Sequence, residues 1–343
     1  MLFISIGQAR LISGKILMKS ISLNQIRKPF KGELKDYEKT FKSIMTSNVR
    51  LIDIIAKYIV KHRGKGLRPL LVIMSAKLVG TPQHNTYVVA SIVELLHTAT
   101  LVHDDVVDNA DVRRGFPSIN ALWKNKIAVL MGDYLLSKCL INATMTGSLK
   151  IMHILADTSR RLSKGELMQI EKSRKMNLTE EDYYKIISDK TAALISSASQ
   201  LGAITTSDNE EDHRNLALYG ENLGIAFQIM DDLLDYYGKQ IITGKPVGND
   251  LKDKKITLPL LAAFQNAPDK EIKNIKKMLK KGVNSKDVRY IIDFVEGYKG
   301  VDYARLKKDK FAQKAKDSIA GYPDSVVKQS LLNFVDYASN RTK

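Results

Sequence analysis

Residues 87–108 read YVVASIVELLHTATLVHDDVVD, an apolar run that ends in three aspartates. The run is long enough for a buried helix, and no series of alternating segments separated by hairpin turns follows it. Proline is absent between Pro117 and Pro246, and apolar residues in that interval recur every three or four positions. Both features favour long uninterrupted helices. The sequence therefore predicts a single all-α domain over residues 18–343.

The three aspartates form the pattern Asp-Asp-x-x-Asp, and the same pattern closes a second apolar helix predicted over residues 212–230. The first and last aspartates of each pattern lie one helical turn apart, where their like charges repel. A single cluster of this kind is typical of a solvated helix end, but two copies favour cation sites. Hard carboxylate oxygens, completed by water and phosphate, suit Mg²⁺. The predicted magnesium ligands are Asp104, Asp105 and Asp108, and Asp231, Asp232 and Asp235.

Basic side chains occur near the aspartates in contexts that suit phosphate oxygens. They lie among glycines before a helix start, directly after the first aspartate cluster, within a predicted helix, in a Thr-Gly-Lys-Pro loop, or just before a further helix start. These residues are Lys65, Arg68, Arg113, Arg114, Lys190 with Thr191, Lys245 and Lys255. Each alone is typical of a solvated surface charge. Together with the aspartates they predict two anion pockets with metal ions between them, as two diphosphate substrates require.

The composition narrows the possible partners. Lysine and arginine number 54 against 37 acidic residues, a net charge of +17, which favours nucleic acid, phosphorylated metabolites or an anionic membrane. A nucleic-acid-binding helical protein is one alternative, but it leaves the aspartate clusters unexplained, and 7% aromatic residues indicate no stacking platform. We predict no nucleic-acid partner. The single cysteine, Cys139, excludes an internal disulfide, and its apolar neighbours indicate a core residue.

A series of motifs from about residue 30 to residue 265 makes the chain resemble trans-polyprenyl diphosphate synthases of the long-chain, octaprenyl-like type. The order and spacing of the motifs agree as well as the residue types. The motifs are Gly64-Lys65-x-x-Arg68-Pro69, residues 94–108, Asp111-x-Arg113-Arg114-Gly115, Gly132-Asp133, Gly165-Glu166-x-x-Gln169, Lys190-Thr191, Gly224-x-Ala226-Phe227-Gln228-x-x-Asp231-Asp232-x-x-Asp235 and Gly248-Asn249-Asp250-Leu251. The resemblance implies an isoprenoid synthase fold, with helices around a central active-site cavity, and a homodimer.

The resemblance also implies roles for individual residues. Both aspartate clusters would hold Mg²⁺ that binds an allylic diphosphate, and the catalytic residues would be Asp104, Asp105, Asp108, Asp231, Asp232 and Lys190. Isopentenyl diphosphate would be bound by Lys65, Arg68, His97 and Arg114. The allylic diphosphate would be contacted by Arg113, Lys190, Thr191, Gln228, Lys245 and Lys255. Two positions depart from the pattern: Asn109 is often acidic in relatives, and Gly66 is often arginine, a loss that would weaken isopentenyl diphosphate binding.

The implied activity is the addition of isopentenyl diphosphate to an allylic diphosphate. Ala99 and Thr100, about one turn before Asp104, are small, whereas this turn carries a bulky aromatic residue in short-chain relatives. We therefore predict a long all-trans product, such as a quinone side chain, and expect Ala99→Phe to shorten it; Met131 is a candidate for the tunnel floor. A farnesyl or geranylgeranyl diphosphate synthase is the alternative. Retention of both clusters argues against a noncatalytic subunit, and the isopentenyl diphosphate pocket argues against a cyclase.

Two further segments carry expectations about location. Residues 1–32 contain basic residues and no acidic ones, which resembles either a mitochondrial presequence or an extension ahead of a start at Met18. We treat residues 1–17 as a non-native or targeting extension, and expect a cytoplasmic protein, or a mitochondrial one if residues 1–32 are a presequence. Residues 270–281 are basic and amphipathic, typical of either a solvated surface helix or a peripheral contact with an anionic membrane.

Overall fold

The architecture comes from a computed structural model, which describes residues 21–237 and 248–340 and the backbone of residues 11–12 and 15–16. Within this part of the chain the secondary structure is almost entirely helical, so the all-α prediction is confirmed. Two short antiparallel hairpins pair β1 (Leu11–Ile12) with β2 (Lys15–Ile16), and β3 (Val112–Arg113) with β4 (Phe116–Pro117).

The helices are numbered in chain order. They are α1 (Leu23–Arg27), α2 (Lys31–Met45), α3 (Arg50–Lys61), α4 (Leu67–Val79), α5 (His84–Val107), α6 (Ile119–Met145), α7 (Leu149–Lys175), α8 (Glu180–Ile187), α9 (Ala193–Ile204), α10 (Glu210–Leu234), α11 (Asn249–Lys252), α12 (Leu258–Asn266), α13 (Asp269–Lys281), α14 (Ser285–Gly297), α15 (Gly300–Asp317) and α16 (Val326–Ser339). A 3₁₀ turn (Lys28–Phe30) joins α1 to α2, and a π-helical turn (Ser188–Ala192) joins α8 to α9.

Helix α5, which contains the apolar run, is a central core element. It packs against α2, α4, α6 and α9. Ile92 and Leu95 are completely buried, and most apolar side chains of this helix are buried with them. Each large aliphatic side chain removed from water contributes about 1.5–3 kcal/mol to folding. The predicted buried helix therefore exists, and it extends beyond both predicted ends.

Both aspartate clusters lie at the C-terminal ends of long helices, α5 and α10. The first two aspartates of each cluster are in the final helical turn, and the third is the C-cap residue. The C-terminal end of a helix carries a partial negative charge, so carboxylates are unfavourable there unless a cation accompanies them. The fold thus holds each cluster at a position that attracts positive charge.

A second apolar cluster is formed largely by α10, α12, α13, α14 and α15. The basic segment 270–281 belongs to α13, and its residues Ile275 and Leu279 are buried in this cluster. The lysines at positions such as Lys273 and Lys277 are exposed. The apolar face of α13 therefore stabilises the core, which supports the interpretation as a solvated surface helix.

Helix α6 contains Cys139, which is buried, with its Sγ atom 3.4 Å from the carbonyl oxygen of Ile92. Burial raises the pKa of the Cys139 thiol to about 12, so the thiolate is scarce at neutral pH and the core interpretation is confirmed. Helices α5 and α6 are long and apolar enough to cross a membrane by length and composition alone. The core position of α5 accounts for its apolar character, because a buried helix meets the same criteria.

Candidate active site

The first aspartate cluster is met by a hairpin that carries two arginines. After α5 the chain turns through Asn109, whose φ of 49° lies in the left-handed region that asparagine tolerates, and enters β3 and β4. The hairpin brings Arg113 back to the helix end, where its Nε donates to Oδ1 of the buried Asp105 at 2.6 Å. Arg113, which was predicted to contact the allylic diphosphate, is therefore in direct contact with Asp105.

Asp104 lies in a crowded group of carboxylates. Burial and the nearby Glu166 and Asp108 carboxylates raise the pKa of Asp104 to about 6, and Lys190 opposes the rise. A raised carboxyl pKa indicates more negative charge, in less water, than the surrounding cations balance. A bound divalent cation would reverse this shift, so the first cluster has the electrostatics of a cation site.

The second cluster is ordered by hydrogen bonds to Asp232. The Tyr183 hydroxyl donates to Oδ2 of Asp232 at 2.7 Å, and Nε2 of Gln228 donates to Oδ1 at 2.8 Å. Burial and the Asp250 carboxylate raise the pKa of Asp232 to about 8, although both hydrogen bonds oppose the rise. The orientation of this carboxylate is thus set by two side chains, each of which donates to a different carboxylate oxygen.

Asp235 has a structural role in the fold. Its two carboxylate oxygens accept the backbone N–H groups of Gly248, Asn249 and Asp250 at 3.0–3.1 Å, which caps the first turn of α11. This contact brings Asp250 close to the second cluster. Burial and the Asp235 carboxylate raise the pKa of Asp250 to about 6, with Lys255 opposing. The metal-binding role of Asp235 stays a prediction.

The two clusters border one composite cleft. A cavity of about 230 Å³ is lined by Asp232, and an adjoining open cavity is lined by Asp108. The two cavities share Gln169, Ser173 and Lys255. Lys255 therefore lines both cavities, and its contact with the allylic diphosphate stays a prediction.

Lys190 and Thr191 reach the same cleft from the π-helical turn. The Nζ atom of Lys190 lies 2.5 Å from Oε2 of Glu166 and 3.3 Å from Oε1 of Gln169. The Thr191 hydroxyl donates to Oε1 of Gln228 at 2.8 Å. The structure thus brings together Lys190, Thr191 and Gln228, which belong to two separate motifs of the sequence.

Asp105 and Arg113 line a second pocket. His97 and Arg114 line it, together with the buried carboxylate of Glu94. Burial raises the pKa of Glu94, and the guanidinium groups of Arg68, Arg63 and Arg114 partly offset the rise. Such a concentration of guanidinium groups suits a phosphate ligand. Three of the four residues predicted to bind isopentenyl diphosphate are therefore neighbours.

The fourth of these residues, Lys65, is oriented differently. Its exposed side chain lies 3.2 Å from the hydroxyl of Tyr337 on α16. The adjacent Gly66 has a φ of 54°, a left-handed conformation that glycine adopts more readily than other residues. The Arg27 guanidinium lies beside Gly66 and donates to the Lys65 carbonyl oxygen.

Residues 49–295 match the family model described as polyprenyl synthetase. This chain belongs to the polyprenyl synthetase family. An octaprenyl diphosphate synthase from Haemophilus influenzae is 34% identical to it over 94% of this chain and 98% of the relative. An octaprenyl diphosphate synthase from Escherichia coli is 32% identical over 87% of this chain and 93% of the relative.

Solved structures of polyprenyl synthases share the fold of this family member. A decaprenyl diphosphate synthase from Rhodobacter capsulatus has a TM-score of 0.88 at 34% identity, covering 93% of this chain and 99% of its own. A polyprenyl synthase from Caulobacter crescentus, solved with calcium and isoprenyl diphosphate, has a TM-score of 0.87 at 32% identity, covering 95% and 99%. The predicted isoprenoid synthase fold is confirmed.

Some residues of the site were not predicted to act, and one predicted residue is not among those that the structure describes. Lys245 lies outside the described residues. Glu94 received no role, although a carboxylate inside the apolar run of residues 87–102 was a usable signal. Tyr183 gave no signal, because its partner Asp232 is distant in sequence and only the fold joins them.

The buried His97 is expected to make the stability of this polyprenyl synthetase family member depend on pH. Burial of the ring, with Arg68 and Arg114 nearby, lowers the pKa of His97 well below its ordinary value. The unfolded chain therefore binds the proton more tightly, so the free energy of unfolding should fall as pH drops below about 6.5. His97→Gln should lose this part of the pH dependence in urea unfolding between about pH 7.5 and 5.5.

The exposed His153 provides the matched control, because His153→Gln makes the same substitution without removing a buried ring. Identical pH dependence in the original chain and in His97→Gln would contradict the prediction.

Proposed function

We propose that this protein is a magnesium-dependent trans-prenyltransferase that condenses isopentenyl diphosphate with an allylic diphosphate to make a long-chain all-trans polyprenyl diphosphate. The observation that carries the proposal is the composite cleft, where two aspartate clusters at helix ends meet Lys190 and Lys255. The carboxylates can bind metal cations and the neighbouring lysine ammonium groups can bind phosphate oxygens, so the cleft fits a metal–diphosphate complex. The guanidinium-rich pocket beside Asp105 supplies a place for the second diphosphate.

The comparisons support the long-chain product. Relatives of this chain include octaprenyl diphosphate synthases, and a nonaprenyl diphosphate synthase from Rhodobacter capsulatus is 33% identical over 87% of this chain. A short-chain isoprenyl diphosphate synthase from Methanothermobacter thermautotrophicus is also similar, at 31% identity over 83% of this chain. The short-chain alternative is therefore less favoured, and an assay of product length distinguishes it from a long-chain synthase.

The aspartate clusters fit Mg²⁺ in donor chemistry and charge. Their oxygens are hard ligands, and the pKa values of Asp104 and Asp250 are raised to about 6 where carboxylates crowd together. Within the described part of the chain, no group of three or more acidic, histidine or cysteine side chains is arranged to hold a metal ion. Water and diphosphate oxygens would therefore complete the coordination, as Mg²⁺ prefers. When bound, the metal supplies Lewis-acid neutralisation of the leaving diphosphate.

The residues of the cleft would divide the remaining work. Lys190, Thr191, Gln228 and Lys255 would hold the allylic diphosphate and stabilise charge on the departing pyrophosphate. As the carbon–oxygen bond breaks, its electron pair leaves with pyrophosphate. The double bond of isopentenyl diphosphate then attacks the allylic carbon, and a proton passes from the adduct to the released pyrophosphate. No nucleophilic side chain is required, in accord with the buried thiol of Cys139.

Arg68, Arg114 and His97 would orient isopentenyl diphosphate for this attack. Holding the two reactants in the productive geometry removes much of the entropic cost of a bimolecular step. The pocket lies next to Asp105 and Arg113, so both diphosphates would be held at the same end of α5.

A direct assay tests the proposed function. Purified protein is incubated with radiolabelled isopentenyl diphosphate, Mg²⁺ and allylic diphosphates of increasing length, and the products are resolved by chromatography. We expect long-chain products, and no product after chelation of the metal. Absence of turnover with every primer, in the presence of Mg²⁺, would refute the proposal.

The small residues before Asp104 provide a test of product length. Thr100 is half-buried and lies one turn before Asp104, on the same face, whereas Ala99 is only 2% exposed. A phenylalanine at position 100 would project beside the reacting end of the chain, so Thr100→Phe should shift products to shorter lengths. Ala99→Phe should do the same but also disturb the core. Unchanged product lengths in a folded Thr100→Phe protein would remove this explanation.

We also propose that the protein assembles as a homodimer through α6. This helix leaves several large apolar side chains 40% or more exposed, namely Leu122, Val129, Leu130, Leu140, Ile141 and Met145. Exposed apolar stripes of this kind are typical of protein interfaces. Sedimentation equilibrium should give the dimer mass, and a monomer at micromolar concentration would contradict the proposal.

A further inference from the structure

The π-helical turn of residues 188–192 places Lys190 and Thr191 in the cleft. π-turns are rare and occur frequently at functional sites, because the extra residue redirects side chains relative to an ordinary helix. The turn is closed by the Ala193 N–H group, which bonds to the carbonyl oxygen of Ser188. The direction of Lys190 and Thr191 therefore depends on whatever holds this unusual backbone in place.

Helices α7 and α10 contact the backbone of the turn from two sides. A Cβ atom added to Gly165 of α7 would lie 2.7 Å from the backbone nitrogen of Lys190. A Cβ atom added to Gly224 of α10 would lie 2.5 Å from the Cα atom of Ala192. Both distances are below van der Waals contact, so only glycine permits this close approach. The turn is therefore packed directly between two helices.

The polar side of the turn is held by Arg161 of α7. Its Nε donates to Oδ1 of Asp189 at 2.8 Å, and its Nη2 donates to the Ser188 hydroxyl oxygen at 2.8 Å. The same Nη2 lies 3.3 Å from the Ser188 carbonyl oxygen, the acceptor that closes the π-turn, and 3.2 Å from Oε1 of Glu221 on α10. The Ser188 hydroxyl in turn donates to Glu221. One guanidinium thus joins α7, the π-turn and α10.

This network differs from an ordinary surface ion pair in burial and geometry. The Arg161, Asp189 and Glu221 side chains are 25%, 14% and 23% exposed, so their charges are largely removed from water. The planar guanidinium contacts Asp189 through Nε and contacts Ser188 and Glu221 through Nη2, which fixes angles as well as distances. A lysine at this position would keep the positive charge but could not contact Asp189 and Ser188 through two nitrogens held in one plane. The arrangement is therefore suited to fixing a backbone conformation.

We propose that Arg161, together with Asp189 and Glu221, positions Lys190 and Thr191 for the allylic diphosphate, an inference that rests on the proposed function. Arg161 is a positioning residue, since it contacts the turn and not the cleft. Its loss would let the turn relax and would move the Lys190 ammonium group and the Thr191 hydroxyl away from the diphosphate. The isopentenyl diphosphate pocket at the end of α5 would keep its geometry.

The test compares Arg161→Met with Arg160→Met, in which the neighbouring arginine of the same helix is replaced. Arg160 is 64% exposed and pairs with Asp157 one turn away, so its loss should leave both substrates unaffected. For Arg161→Met we expect kcat/KM for the allylic primer to fall at least about tenfold, since small misplacements of binding groups carry such costs. The KM for isopentenyl diphosphate should stay within about twofold of the original value.

Three further measurements separate positioning from loss of folding. Arg161→Lys should recover only part of the activity, because lysine keeps the charge without the fork. Asp189→Asn should show the same selective effect on the primer, and thermal unfolding should show that each variant is folded. Binding of inorganic pyrophosphate, measured by calorimetry without turnover, should weaken in Arg161→Met and not in Arg160→Met.

The outcomes distinguish this inference from the proposed function. An original enzyme that is inactive with every primer would refute the function itself. An active original enzyme with unchanged constants in folded Arg161→Met and Asp189→Asn, or with equal losses for both substrates, would overturn the positioning role alone.

Discussion

Replacing Asp104 by asparagine is expected to lower kcat at least about a hundredfold, because an electrostatic contribution to the transition state is removed. The substitution keeps the size of the side chain but removes one negative charge from the group that includes Asp108 and Glu166. Steady-state kinetics at saturating Mg²⁺ would measure the loss. Higher Mg²⁺ should recover only part of it, because the ligand oxygen itself is altered.

The same substitution should not destabilise the protein. Burial and like charge raise the pKa of Asp104 to about 6, so at neutral pH its ionised form is a cost to the folded state. Thermal unfolding without metal should therefore occur at an equal or higher temperature in Asp104→Asn. Asp293, exposed on α14, provides a matched control, and Asp293→Asn should retain full activity. An active Asp104→Asn enzyme would refute the catalytic role of the first cluster.

Replacing Arg114 by methionine is expected to raise the KM for isopentenyl diphosphate about tenfold to a hundredfold, as loss of charge-assisted hydrogen bonds commonly does. The guanidinium lines the pocket with His97 and lies against Gly64, where an added Cβ would approach its Cζ atom to 2.6 Å. Methionine retains the side-chain length but neither charge nor donors. The KM for the allylic primer should change little, because Arg114 does not line the cleft beside Asp232.

Initial rates with each substrate varied in turn would measure this separation. The control is Arg289→Met, which removes an exposed arginine of α14 and should change neither KM. A rise in the KM for the allylic primer alone, with the KM for isopentenyl diphosphate unchanged, would mean that the two substrates have been assigned to the wrong pockets.

The helices and the two aspartate clusters were predictable because they depend on local sequence. An apolar run such as residues 87–102 must be buried, and the Asp-Asp-x-x-Asp spacing places carboxylates on one helical face wherever the helix lies. The ends of α5 and α10 were predicted less well, since both helices extend into the aspartate clusters. The position of these carboxylates at helix C-termini follows from where the two helices end in the structure.

The contacts that orient the site were not predictable in the same way. Asp232 is oriented by Tyr183, and the π-turn is held by Arg161 of another helix. These partners have no fixed spacing in the sequence, so no local pattern marks them. Lys65 belongs to a motif that the sequence did reveal, but its side chain extends toward Tyr337 of α16, a contact that the motif does not predict.

The sequence by itself determined the helical class, the aspartate-rich helix ends and the type of ligand, because periodicity, charge and donor chemistry are properties of neighbouring residues. The tertiary structure alone decided that Asp108 and Asp232 border one cleft through Lys255, and that a guanidinium from α7 holds the turn carrying Lys190. Those relations arise when packing brings distant helices within hydrogen-bonding distance, and that distance is set by the whole core.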